Sequence, residues 1–137
     1  MAMDITFPGG MAVDAHYKGF RIRTDQPFGQ GGSAAAPSPF DLFLAALGCC
    51  AGYYALRFCQ ERDLPTAGLG LALHFDRGAD GKSVESVRMT LRLPIGFPEK
   101  YRAAIVRAMD QCAVKRQLAA PPRVEYTLTT TPAASVA

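Results

Sequence analysis

The sequence predicts an α+β domain with mostly antiparallel strand pairing. Three observations carry this. Short strand-like runs bounded by turn residues lie near both ends of the chain, one long apolar helical stretch lies near its middle, and a second helical pattern falls between later strands. The 137 residues fit one domain of usual size, and an apolar share of 49% is enough to build a core. That domain is expected over 1–132, with 133–137 as a flexible tail.

Residues 3–7 suit a strand, and Pro8-Gly9-Gly10 a turn. Residues 11–17 and 20–24 read as a hairpin around Lys18-Gly19. The glycines and small residues from Phe28 to Pro39 mark a loop. The long helix follows, from Ser38 to Arg62. Ser38 caps it, Pro39 stands at its first position and Asp41 completes a capping box. Leu42, Ala45, Cys49, Tyr53 and Leu56 follow helical spacing, and so do Phe43, Leu47, Cys50, Tyr54 and Phe58. Apolar residues on nearly every side predict a helix buried all round, wrapped by sheet or packed into a dimer. Asp63-Leu64-Pro65 ends it.

Residues 69–76 form the next expected strand. After a turn at Ala79–Lys82, Val87, Met89, Leu91 and Leu93 alternate with Arg88, Thr90 and Arg92, the pattern of a half-buried strand. Pro98 opens a second helix carrying Tyr101, Ala104, Ile105, Ala108, Met109 and Cys112 on one face. Pro121-Pro122 breaks the chain, and 123–130 reads as a last strand.

The formal net charge is only +3 and the Lys and Arg residues are scattered, which argues against a nucleic-acid partner. No uninterrupted apolar run reaches 18 residues, so no membrane span is expected. The N-terminus has neither the basic nor the apolar region of a signal peptide, which makes the cytoplasm the expected compartment.

Chemistry is expected at the cysteines. Cys49 and Cys50 lie within the first helix and Cys112 on the second helical pattern, an arrangement that suggests thiol chemistry using two sulfurs in turn. Cys59, nine positions after Cys50 on one helix, is ~13 Å along its axis and out of disulfide reach. A vicinal Cys49–Cys50 bond inside a helix would be strained. Cys112 is therefore the one cysteine able to bond a member of the cluster, Cys50 among them, without the pairing being fixed. Equally, all four read as small buried hydrophobes. A reactive thiol needs a cation or hydrogen-bond donors beside it. Arg21 and Arg23 on the N-terminal strands are the candidate helpers, and Lys115 and Arg116 follow Cys112. A zinc site would draw on the cysteines with His16 and His74, but no CxxC or HxxxH spacing occurs, so no metal or other cofactor is expected.

The segments SPFDLFLAALGCCAG and DQCAVKRQLAAPPRVEY, some sixty residues apart, resemble the OsmC/Ohr superfamily across essentially the whole chain. The resemblance implies antiparallel sheets around a central helix, an intertwined homodimer and active sites at its interface. It also implies thiol-dependent reduction of organic hydroperoxides, with Cys50 attacking, Cys112 resolving and a dithiol as reductant. Phe40, Phe43, Tyr53 and Tyr54 would line the site and favour apolar peroxides. In the peroxidase branches a Glu follows the helix proline and pairs with an Arg beside the reactive cysteine. Here that position holds Phe40, and Asp41 is rotated by ~100° around the helix. The chain thus resembles a less characterised branch. The alternative is a non-enzymatic binding protein of the same fold, holding a small apolar or thiol-reactive ligand at the dimer interface.

Overall fold

The computed structural model describes residues 2–131. The tail expected at 133–137 lies outside them. Three strands, β1 (Asp4–Gly9), β2 (Ala12–Tyr17) and β3 (Phe20–Thr24), form an antiparallel meander, and β4 (Gly70–Arg77) pairs antiparallel with β5 (Val84–Arg92) in a second sheet. Along the chain, α1 (Pro39–Glu61) follows the first sheet and precedes the second. Its start is the predicted one: the Ser38 side chain accepts from the Asp41 N–H, and Asp41 accepts from the Ser38 N–H.

The loop before α1 is fixed by a carboxylate with no sequence signature. Asp25 is buried and accepts hydrogen bonds from the N–H groups of Ala35, Gln26 and Ser33 and from the Ser33 hydroxyl. These bonds, that from Ala35 foremost, hold its carboxyl below the usual range. Gly32 lies so close to Gln26 that an added Cβ would fall 1.9 Å from the Gln26 carbonyl oxygen. Gly32→Ala is therefore expected to lower stability by about 1–3 kcal/mol through overpacking against backbone that cannot yield, read as a lower denaturant midpoint at unchanged m-value.

By length and composition α1 is apolar enough to cross a membrane. Here its inner face, Leu44, Leu47, Ala51, Ala55, Phe58 and Cys59, is buried against the chain's own elements. β4 approaches closely because Gly48 presents no side chain: a Cβ there would lie 2.9 Å from Leu73 Cδ1. The core gathers Ala55, Phe58, Cys59 and Ile105, with Leu64, Leu91, Leu93 and Tyr101 around them.

Three findings depart from the expected elements. Within one chain, burial of α1 is one-sided: Phe40, Phe43, Tyr53 and Leu56 stay exposed. The second helix is broken. A 3₁₀ turn (Glu99–Tyr101) leads into α2 (Arg102–Met109), and α3 (Ala113–Ala119) starts afresh after Cys112. The bonds Gln111 N–H to Ala108 O and Cys112 N–H to Met109 O tighten the end of α2 into i→i+3 geometry, and Cys112 (φ −48°, ψ 121°) leaves the helical region. Finally, 123–130 does not form a strand within one chain. Its alternation of Val124, Tyr126 and Leu128 is present, but among the described residues no neighbouring edge pairs with it and all three side chains are exposed.

The first sheet has one polar and one apolar face. Cross-strand register places Asp4, His16 and Arg21 together, and Thr6, Asp14 and Arg23 together; the opposite face carries Ile5, Ala15 and Ile22, with Tyr17 against Phe20. That apolar face is uncovered: Phe7 is 80% and Phe20 72% exposed. The helices pack on one another and α1 on β4, whereas no comparable packing joins the first sheet to them.

Candidate functional site

The break before α3 creates the site. Cys112 becomes the N-cap of α3, its sulfur accepting the Lys115 N–H at 3.5 Å. The sulfur also lies 3.9 Å from the Leu47 carbonyl of α1, so the start of α3 sits against α1 at the turn that carries Cys50. The amides of Val114 and Ala113, the Cys112 thiol and the Arg116 guanidinium all act on the Cys50 thiol from there. These interactions, the Val114 hydrogen bond first, outweigh partial burial and hold the Cys50 thiol below its ordinary value. Cys112 moves the other way: burial, then its shared hydrogen bond with Cys50, push it up. Burial likewise raises Cys59.

The two sulfurs named from the sequence are thus brought together, one favoured as thiolate and the other held as thiol. All four cysteines are free, and Cys49 is on the exposed side of α1. Arg21 is engaged elsewhere: Nε and Nη2 bond Asp14 Oδ2 at 2.8 and 2.7 Å. Arg23 stands beside Asp14 in the strand register. Within one chain Arg116, which the sequence marked only as a neighbour of Cys112, adds a smaller lowering to Cys50.

The aromatic candidates divide. Phe40 and Phe43, ring centroids 5.5 Å apart, line a groove of about 1110 Å³ between α1, α2 and β5, with Leu47, Met89 and Ile105 along its walls and Cys112 at its α3 end. Tyr53 and Tyr54 pack edge to face, centroids 5.2 Å apart, on the α1 turn after Cys50 and outside that groove. Among the described residues no group of three His, Cys, Asp or Glu side chains gathers to hold a metal ion.

One consequence is measurable by alkylation. Reaction of Cys50 with iodoacetamide is expected to rise and level off at lower pH than a free cysteine in a peptide, because the thiolate persists below the ordinary thiol range. Cys112 and Cys59 should stay nearly unlabelled across the same range. Arg116→Ala should move the Cys50 inflection upward.

A family model described as OsmC-like protein matches residues 29–127. Among solved structures, a Psychrobacter arcticus 273-4 protein, provisionally named for an osmotic stress induced and detoxification response, superposes with a TM-score of 0.70 at 21% identity, over 85% of this chain and 87% of that one. An organic hydroperoxide resistance protein OsmC from Legionella pneumophila superposes with a TM-score of 0.56 at 15% identity, over 86% of this chain and 89% of the other. No curated protein matches the sequence.

Proposed function

The chain belongs to the family of OsmC-like proteins, and from that premise we propose that it reduces organic hydroperoxides through a two-cysteine cycle in protection against oxidative stress. The Cys50 thiolate attacks the terminal peroxide oxygen. The S–O bond forms as the O–O bond breaks, and the departing alkoxide takes a proton from solvent to become the alcohol. Cys112 then attacks the sulfur of the Cys50 sulfenic acid. The S–S bond forms, the S–O bond breaks, and hydroxide leaves as water with the proton given up by the Cys112 thiol. A dithiol restores both thiols. The observation that carries this reading is the start of α3, capped by Cys112 with its sulfur 3.9 Å from the Leu47 carbonyl, seated on the α1 turn that carries Cys50, where the α3 amides and the Cys112 thiol lower the Cys50 thiol. The apolar groove beside Phe40 and Phe43 supports an apolar hydroperoxide as substrate. Four free cysteines suit the cytoplasm, where thiols are kept reduced.

Mass spectrometry after one equivalent of an organic hydroperoxide tests the cycle. A Cys50–Cys112 disulfide in the wild type, with sulfenic acid trapped at Cys50 in Cys112→Ser, is the expected result. No oxidation beyond that of buried Cys59 would replace this reading with ligand binding in the groove.

The working form in this proposal is a homodimer. The uncovered apolar face of the first sheet and the exposed face of α1 support it, since apolar surfaces of this extent mark interfaces. Sedimentation is expected to give twice the 14.7 kDa of one chain, and Phe20→Asp to shift the population toward that single mass. A wild-type protein that sediments at the mass of one chain would end the dimer proposal.

A further inference from the structure

We propose that Asp110 and Lys115 are positioning residues for the resolving thiol: their ion pair spans the break between α2 and α3 and so aims the Cys112 sulfur at Cys50. This deepens the two-cysteine cycle proposed above and rests on it.

The main chain leaves the break loose. The N–H groups of Asp110, Gln111 and Cys112 bond back into α2, to the carbonyls of Val106, Ala108 and Met109. On the far side the Arg116 N–H bonds the Cys112 carbonyl, and α3 runs on from there. Among the described residues, no main-chain hydrogen bond runs from beyond Cys112 to the residues before it. The angle between the two helices therefore turns on the Cys112 ψ of 121°. With seven residues and none of their side chains buried, α3 is too short to hold itself in place. The Asp110 carboxylate and the Lys115 ammonium form the one ion pair across the break among the described residues. Lys115 also supplies the N–H that the Cys112 sulfur accepts at 3.5 Å. The first turn of α3 thus fixes the rotamer of the sulfur, and the ion pair fixes that turn. Neither residue needs solvent access for this role, so it holds with that face of the chain covered by a partner or open.

The signs of the two charges favour this role over local helix stabilisation. Asp110 is the C-cap of α2, at the negative end of that helix, and Lys115 lies in the first turn of α3, at the positive end. Each charge stands at the helix end that disfavours it, and what compensates is the opposite charge across the break. Neutralising either residue leaves its own helix no weaker and loosens the corner between the two.

The pairing equilibrium reads the position directly. The full chain is equilibrated with reduced and oxidised glutathione, quenched in acid and peptide-mapped. The protein dithiol gives two electrons and two protons to the glutathione disulfide as the Cys50–Cys112 bond forms. Asp110→Asn and Lys115→Met are each expected to shift the equilibrium about threefold to fivefold toward the dithiol, the scale of an ion pair in contact with water, with the Tm unchanged. The exchanged pair, Asp110→Lys with Lys115→Asp, should return it to within about twofold of wild type. Single variants that match wild type, or an exchanged pair no better than they are, overturn the proposal. Should the wild type form no such disulfide, the pairing is lost and the positioning role with it.

The pH profile of Cys50 alkylation separates position from charge alone. The charged and titratable groups acting on Cys50 are Arg116 and Cys112. Direct electrostatics would move the inflection down in Asp110→Asn and up in Lys115→Met. Loss of position moves it up in both, because the Val114 and Ala113 amides leave with α3. A downward move in Asp110→Asn overturns the positioning role. Both arms as expected, in a protein that consumes no hydroperoxide, would instead fault the peroxidase reading alone.

Discussion

Cys50→Ser is expected to bring the reduction of an organic hydroperoxide to the uncatalysed background, a loss of at least about 10³-fold. The replacement keeps the shape of the side chain and removes the nucleophile: a serine hydroxyl stays protonated where the Cys50 thiol ionises. The Val114 and Ala113 amides still point at the position, so folding is preserved and the loss is chemical. Cys112→Ser should behave differently. The attacking thiol remains, so one equivalent of peroxide is consumed in a burst. Turnover then stops, because no second sulfur displaces the oxygen from Cys50, and excess peroxide drives Cys50 on to sulfinic acid. Stopped-flow consumption of hydroperoxide with a dithiol present separates the two: no burst in the first variant, a single-equivalent burst in the second. Multiple turnovers by Cys50→Ser would remove Cys50 from its assigned role.

Phe58→Ala should produce the largest loss of stability of any single truncation in the core, about 3–5 kcal/mol. Its ring is 5% exposed, meets Tyr101 edge to face at 5.7 Å, and carries the Arg62 guanidinium 3.6 Å above its centre. Removing the ring empties the junction of α1, α2 and β5. It also leaves Arg62, which donates from Nη1 to the Phe58 carbonyl at 3.2 Å, without the surface it stacks on. Against a typical total of about 5–15 kcal/mol, this is a large fraction, and calorimetry should show a fall in Tm of roughly 10 °C or more. A Tm within about 3 °C of wild type would mean that the junction refills without the ring.

The sequence was most readable where local chemistry decides. Ser38, Pro39 and Asp41 are sufficient to start α1, and the alternation of Val87, Met89 and Leu91 is sufficient for β5, because caps and period-2 burial act over a few residues. The pairing of Cys50 with Cys112 came from the resemblance, and the structure brings the two sulfurs together. What supports Cys50 was not legible. No glycine or proline marks the break at Gln111–Cys112, so the helical pattern ran through it, and a helix start there could not be anticipated. Arg21 and Arg23 are cations with a visible identity in the sequence, yet they stand at Asp14 on the first sheet. Residues 123–130 differ for the opposite reason: their pattern is local, but a strand exists only beside an edge, and none pairs with them among the described residues of one chain.

The donors that converge on Cys50 from Val114 and Ala113 are main-chain groups, which every amino acid but proline supplies. A mutation that changes either side chain leaves the donor in place, so this activating device drifts freely in sequence without being lost. It would pass unnoticed between distant relatives that share no charged residue around the thiol. In such a lineage a charged partner for the thiol can be absent, as an acid is at Phe40, and its absence does not by itself mean that the sulfur is silent.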